Sequence, residues 1–292
     1  MFKHNISVVV PSFDGCDKLK ILVHALNAQT RLPEEVIIVL DGSQDGSLEW
    51  LNFISHSNQI RYHLKLICQD NQGRGASKHI GAMNAKGNLI IFCDDDMIPE
   101  SGWIEAHEYA HHYAEVVSGP IELCRHPNGS HEFFQYFSLL TYNWNIEHAQ
   151  EGNFFFSAAN VSFKSSVYYS TGGFDCSLRD NEDREYAIRL HKLGVQVRHY
   201  PNCKSFTRCY LNFQEYAARL RDYKTASKAL KSFTTAREKA RDKNIWKMLR
   251  ICLQKVKSLP LLHWFLAWLI DHSVFILLPQ YARFKLYTIM LF

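Results

Sequence analysis

The stretch Leu89-Ile90-Ile91-Phe92-Cys93-Asp94-Asp95-Asp96 decides the fold: five apolar residues without a break, then three carboxylates. An unbroken apolar run of this length fits a strand buried on both faces, as in a parallel sheet. Adjacent carboxylates leaving such a strand repel one another unless a cation offsets them. Upstream, Ile6–Val10 is a second apolar run, ending at Pro11-Ser12, and Val36–Leu40 is a third, closed by the turn Asp41-Gly42-Ser43. His63–Cys68 reads as a further strand. Between the strands, Leu19, Leu22, Val23 and Leu26 recur at helical spacing, and Ala76–Ala85 reads as a helix. Strand and helix in alternation imply right-handed βαβ units and a mostly parallel sheet, with ligands beyond the carboxyl ends of the strands. Asp41 and the three aspartates fall at those ends.

Downstream the pattern is less regular. Glu122–Phe156 is rich in aromatic and polar residues and is expected to cross the sheet as an acceptor-side insertion. Ala158–Phe163 resembles another strand, Gly172-Gly173-Phe174-Asp175 a turn, and Glu182–Leu193 a helix closed by Gly194, followed by a strand over Val195–Tyr200. From Phe213 the spacing of Tyr216, Ala217, Leu220 and Tyr223 keeps one helical face apolar.

Composition bounds the class. In 292 residues, 47% of them hydrophobic, a sizeable core is available, which excludes global disorder. The eight cysteines form no CxxC pair, so neither a zinc site nor a compact disulfide framework is expected, and reduced thiols in a cytosolic compartment are the simplest reading. No charged segment followed by a long apolar run and a small-residue cleavage site opens the sequence, so no secretory signal is expected. Charge is unevenly spread. Arg219 to Lys257 holds thirteen Lys/Arg against three acids, a local balance of +10, which leaves about −6 for the remainder of a chain whose total is +4. Such an arm suits a polyanionic partner, anionic lipid or nucleic acid.

Two acidic motifs carry the chemistry. Hard ions such as Mg²⁺ or Mn²⁺ bind one or two carboxylates together with substrate phosphate oxygens, which suits Asp94, Asp95 and Asp96 better than a solvated turn does. Glu182-Asp183 opens a helix, where the macrodipole favours ionised carboxylates. An ionised carboxylate there suits removal of a proton from an attacking hydroxyl.

The order of motifs resembles glycosyltransferase family 2, of the GT-A (Rossmann-like) fold. Val8-Val9-Val10-Pro11-Ser12-Phe13 comes first, then Val39-Leu40-Asp41-Gly42-Ser43-Gln44-Asp45-Gly46-Ser47, then Asn71-Gln72-Gly73 through Gly87. Asp94-Asp95-Asp96, Gly172-Gly173-Phe174-Asp175 and Glu182-Asp183 complete the order over residues 5–200. The resemblance implies a nucleotide-sugar pocket lined by Pro11, Phe13 and Asp14, with Asp41 accepting from the base (typically uracil) and Lys78, Asp94 and Asp95 near the ribose and diphosphate. Asp96 would be the principal metal ligand, joined by Asp94, holding Mg²⁺ or Mn²⁺. Asp183 would be the base of a single inverting displacement, and Glu182 would position the acceptor or orient Asp183. Departures lie at Leu40-Asp41, where two acids are common, and at Ser77-Lys78-His79, where Ala-Arg-Asn is common. A lysine keeps the charge of that arginine without its planar grip. The histidine nearest the family's later metal ligand is His199, read as a core or surface residue.

The implied organisation is a catalytic domain over 1–210, its nucleotide-sugar half about 1–97 and acceptor half 98–210, with a basic helical, apolar extension over 211–292. The implied activity is hexosyl or N-acetylhexosaminyl transfer from a nucleotide-diphosphate sugar to a glycan or lipid-linked acceptor. A sugar nucleotidyltransferase is the enzymatic alternative, but Pro11-Ser12-Phe13-Asp14-Gly15-Cys16 lacks its Gly-rich basic loop. A nucleic-acid scaffold is disfavoured, because the basic arm has few aromatics to stack bases. Leu261 to Ile270 is apolar for ten residues before Asp271, short of the roughly twenty that span a bilayer. An interfacial helix or hairpin at the cytoplasmic face of a membrane fits it, as does a helix packed on the domain.

Overall fold

In the computed structural model of the chain, the described residues are 4–57, 59–124, 154–208, 212–220 and 260–271, with isolated positions from 274 to 290. The chain divides into two compact units, Met1–Cys124 with Thr141–Cys209, and Arg125–Leu140 with Tyr210–Phe292. Most of the crossing expected over Glu122–Phe156 lies outside the described residues.

The first unit is built on a seven-stranded sheet of β1 (Ile6–Ser12), β2 (Glu35–Asp41), β3 (His63–Gln69), β4 (Leu89–Cys93), β6 (Val116–Ser118), β8 (Asn160–Lys164) and β9 (Val197–His199). Its order is β3-β2-β1-β4-β8-β6-β9. β1 lies parallel between β2 and β4, with Val9 opposite both Ile37 and Phe92, and β8 alone runs against the other six. The sheet is thus mostly parallel, as the apolar runs imply. Three-residue strands β5 (Met97–Pro99), β7 (Ile121–Leu123) and β10 (Ser205–Thr207) form a second sheet in the order β5-β10-β7.

Alternate side chains of the central strands feed two cores. Val8, Val10, Ile38 and Ile91 meet α1 (Cys16–Asn27), α2 (Ser47–Ser55) and α4 (Trp103–Ala110) on one face. On the other, Val9, Ile90 and Phe92 meet α3 (Arg74–Met83), α5 (Ser165–Ser170) and α6 (Glu182–Lys192). The second core is aromatic. Phe92, Phe163, Tyr168, Phe174 and Tyr186 lie with ring centroids 5.0 to 6.4 Å apart, mostly edge to face. Phe92 stands two residues before Asp94 and Tyr186 three after Asp183, so this cluster sets the distance between the two acidic motifs. Gly173 is required within it: its φ is 63°, and a Cβ would stand 2.6 Å from the Tyr168 ring.

A buried polar chain ties α4 to β8. Trp103 Nε1 donates to Asn160 Oδ1 at 2.9 Å, and His107 lies between Asn160 Oδ1 (3.1 Å) and Ser162 Oγ (2.7 Å). His111 Nε2 reaches the same Ser162 hydroxyl at 2.7 Å. The six described cysteines carry no disulfide.

In the second unit, residues 213–220 are helical and α7 (Pro260–Asp271) is a separate helix. Ala267 and Ile270 of α7 pack with Phe213, Ala217, Tyr287 and Met290, and Asp271 accepts the Phe213 N–H at 2.7 Å. Among the described residues no helix is long and apolar enough to cross a membrane.

Candidate active site

The expected site residues collect at the carboxyl ends of β1, β2 and β4. Asp41 ends β2 and is buried. Its Oδ1 accepts from the Gln69 side-chain amide at 2.7 Å and the Gln72 N–H at 2.8 Å, and its Oδ2 from the Gly73 N–H at 2.8 Å. Each carboxylate oxygen accepts about two hydrogen bonds, so one acceptor position remains, on Oδ2. Pro11, near the end of β1, is buried, and Phe13 and Asp14 in the loop that follows are exposed. Asp14 sits at φ 46°, accepting the Gln44 N–H at 2.8 Å. Asp45, a residue the sequence did not single out for a role, holds this loop by accepting the Cys16 N–H at 2.7 Å.

Asp94 and Asp95 face different partners. Asp94 Oδ1 lies 3.1 Å from Lys78 Nζ. Asp95 Oδ2 accepts the Ser12 hydroxyl at 2.7 Å, with Lys18 3.8 Å from Oδ1. A Cβ on Gly15 would run into Asp95 Oδ2 and the Ser12 hydroxyl, so a larger residue there would displace this pair. Burial pushes the Asp95 carboxyl up to about 6, against the pull of Lys18 and Ser12. Asp96 follows, half-buried. Among the described residues no three His, Cys, Asp or Glu are gathered to hold a metal. This donor set fits an ion completed by substrate oxygens rather than a caged one.

Lys78 differs from the expected nucleotide contact. It is 1% exposed, and its ammonium is spent on the chain's own acids, 2.8 Å from Glu182 Oε1 as well as 3.1 Å from Asp94. Burial alone would lower its pKa, but the two carboxylates more than reverse that and keep it charged. The ion pair engages Oδ1 of Asp94, the residue expected to join Asp96 at a metal. Glu182 is likewise buried against Lys78, next to Asp183, the residue it was expected to orient if it does not position the acceptor.

Asp183 opens the first turn of α6, accepting the Arg184 N–H at 2.7 Å and the Ala158 N–H at 3.4 Å. Burial first, and the Glu182 charge second, push its carboxyl from 3.8 up to about 7. The sequence predicts the opposite direction from the helix dipole. Loss of water around the group outweighs the dipole, worth about 0.3–1 kcal/mol at an exposed helix end. His199 is half-buried, 3.3 Å from Ser118 Oγ.

A parallel sheet with acidic clusters at the ends of β2 and β4, and a third acidic pair facing them from α6, can be compared with known proteins. The family model for glycosyl transferase family 2 matches residues 7–162, more than half of the chain. The chain belongs to glycosyltransferase family 2. It is 26% identical over 205 residues to a glucosyl-dolichyl phosphate glucuronosyltransferase of Haloferax volcanii, covering 68% of this chain and 63% of that one. It is 32% identical over 103 residues to a cholesterol galactosyltransferase of Borreliella burgdorferi, covering 35% and 28%. The chain therefore spans less than two thirds of the length of these curated relatives. A solved mannosyltransferase from Pyrobaculum calidifontis, in complex with GDP-Man and Mn²⁺, superposes with TM-score 0.62 at 15% identity, over 81% of this chain and 67% of its own. GalNAc-T7, solved with UDP, GalNAc and Mn²⁺, gives 0.57 at 14% identity, over 77% and 48%. The GT-A fold follows, and the nucleotidyltransferase and scaffold alternatives gain no support.

Proposed function

We propose that the chain transfers a hexosyl or N-acetylhexosaminyl group, with inversion, from a nucleoside-diphosphate sugar to a glycan or lipid-linked hydroxyl. The observation that carries this reading is the Asp94–Lys78–Glu182 bridge, which brings two acidic motifs 88 residues apart in sequence into one cluster, with Asp183 beside it. Pro11, Phe13 and Asp14 line the nucleoside pocket, and Asp95 faces the ribose and diphosphate. The one acceptor position left on Asp41 Oδ2 suits uracil, which has a single ring N–H donor, and makes a uridine donor the first to test. Asp96 is the residue to hold Mg²⁺ or Mn²⁺, whose charge offsets that developing on the leaving diphosphate. Asp183 takes the proton of the acceptor hydroxyl as the new bond forms.

Release of nucleotide from uridine, guanosine and deoxythymidine sugars, with Mn²⁺ or Mg²⁺ present, tests the reading. No release from any of them would sink it. Asp96→Ala is expected to weaken Mn²⁺-dependent UDP binding about tenfold without lowering the melting temperature, since the residue is half-exposed at a strand end. Equal UDP affinity in chelator and in Mn²⁺, for the unaltered chain, would remove the metal from the scheme.

A second, compatible reading places α7 on the cytoplasmic surface of a membrane. While Ala267 and Ile270 are buried, Trp264, Phe265 and Trp268 are 57%, 48% and 37% exposed, and the latter two rings stack. Exposed tryptophans on one side of an apolar helix, preceded by a basic arm, suit an anionic headgroup region. The relatives named for cholesterol and dolichyl phosphate agree with a lipid-linked acceptor. The chain is expected to sediment with phosphatidylserine vesicles, high salt weakening this only partly, because salt screens charge and not burial. The W264S/F265S/W268S variant should stay in the supernatant. Its sedimentation at the unaltered level would refute the docking.

A further inference from the structure

The start of α6 is seated on the amino end of α3. A Cβ at Gly75 would stand 2.8 Å from the carbonyl oxygens of both Asp175 and Leu178, and one at Gly73 would stand 3.1 Å from the Arg179 Cα. The loop before α6 therefore rests directly on the first turn of α3, with no side chain between. It enters α6 through Asn181 at φ 62°, a left-handed conformation that a non-glycine residue adopts at a cost. Something must hold that entry in place. One turn along α3, Lys78 reaches both sides of it, to Glu182 of α6 and to Asp94 behind β4.

We propose that Lys78 is a positioning residue whose buried ammonium locks the first turn of α6 to the Asp94 loop, and so fixes where the Asp183 carboxylate stands. The role is distinct from gripping the nucleotide. At 1% exposure, with two carboxylates within 3.1 Å, Lys78 has no open side toward a phosphate. Releasing it would leave the Glu182 carboxylate, itself 4% exposed, as an uncompensated buried charge. Lys78 is also the cation that faces Asp183. The other groups on that carboxyl are Glu182, beside it on α6, and the backbone N–H groups of Ala158 and Arg184. The proposal rests on Asp183 serving as the base of sugar transfer, but part of its test does not.

The test compares Lys78→Met, Asp183→Asn and the double variant in UDP affinity with Mn²⁺ present and in single-turnover transfer. Lys78→Met should bind UDP within about twofold of the unaltered chain and lose 10- to 100-fold in transfer. Because Lys78 acts through Asp183, the double variant should lose no more than Asp183→Asn alone. Losses that multiply, or UDP affinity tenfold weaker with transfer preserved, would overturn the proposal. Carbon-13 titration of the Asp183 carboxyl needs no activity: its midpoint should rise by about one unit in Lys78→Met. An unmoved midpoint would equally overturn it, whereas a shifted midpoint in a chain that transfers no sugar would keep the proposal and remove the transfer reading. If Lys78→Met does not fold, Lys78→Met/Glu182→Gln, which buries no net charge at the pair, takes its place in the affinity and transfer measurements, and is read there against Glu182→Gln alone with the same expectations.

Discussion

Asp183→Asn is expected to bind its sugar donor nearly as tightly as the unaltered chain and to lose at least about 10²-fold in single-turnover transfer, the usual scale for removing a general base. Asparagine keeps the size of the side chain, and its one oxygen still accepts the Arg184 N–H at the shorter of the two contacts, but its amide nitrogen accepts nothing from Ala158 and it takes no proton. The pH dependence gives a second readout with a definite sign. The base works only when ionised, and burial holds its carboxyl at about 7. Transfer should therefore climb as pH rises from 6, reach half its limit near 7 and level off about a unit above that, and lose that rise in Asp183→Asn. A base of ordinary acidity would be ionised throughout and give a flat profile. Near-normal transfer by the variant would move the base elsewhere and with it the proposed mechanism.

What the sequence disclosed was whatever depends on neighbours along the chain. The runs Ile6–Val10, Val36–Leu40 and Leu89–Cys93 are apolar but for Ser7 because their strands are covered on both faces, so each is visible without knowledge of the partners. β5, β6, β7 and β10 have three residues each, too few to show any period, and none was legible. The site divides the same way. Asp41, Asp94–Asp96 and Glu182-Asp183 stand out as acids at element ends. Their partners do not: Lys78 meets Glu182 across 104 residues, and Ser12 meets Asp95 across 83. The direction of the Asp183 shift was misread for that reason. A helix dipole is local and readable, whereas loss of water is made by chain segments that arrive from elsewhere.

Two buried histidines and two half-buried carboxyls combine into one expectation for stability. His107 and His111, one helical turn apart, share the single hydroxyl proton of Ser162. The Asn160 amide nitrogen is spent on the carbonyls of Pro120 and Cys203, so its Oδ1 must accept, and His107 Nε2 carries the proton that faces it. His107 Nδ1 then accepts from Ser162. A second proton on His111 would complete its contacts to Ser162 and to the Ala114 carbonyl at 3.0 Å, a gain of about 1.5–3 kcal/mol for charged hydrogen bonds. Burying the cation costs several kcal/mol, so burial wins and both rings stay neutral. It holds His107 down to about 4 and His111 to about 3.

The expected result is a chain whose unfolding free energy changes little between pH 6 and 4.5, and an Asp95→Asn/Asp183→Asn variant in which it falls steeply over the same range. The signs decide this. Each histidine has a folded pKa below the unfolded 6.5, so the unfolded chain binds its proton first, and stability is lost as pH falls from 6.5 toward 4. Asp95 and Asp183 have folded pKa values of about 6 and 7, above the unfolded 3.8. The folded chain takes up their protons first, so these two groups add stability as pH falls through 7 and 6 toward 4. Two protons on each side nearly cancel around pH 5. With the carboxyls replaced by amides the loss from His107 and His111 stands uncompensated, at about 1.4 kcal/mol per pH unit each, or about 2.7 together, and His79, whose pKa burial also lowers, acts in the same direction. Above pH 7 the same variant should be more stable than the unaltered chain, because it no longer takes two ionised carboxylates out of water. Urea unfolding at pH 7.5, 6, 5 and 4.5 measures both. Parallel pH curves for the two proteins would show that these carboxyls titrate alike folded and unfolded. They would then be ordinary acids, and the case for Asp183 as a base tuned by burial would go with them.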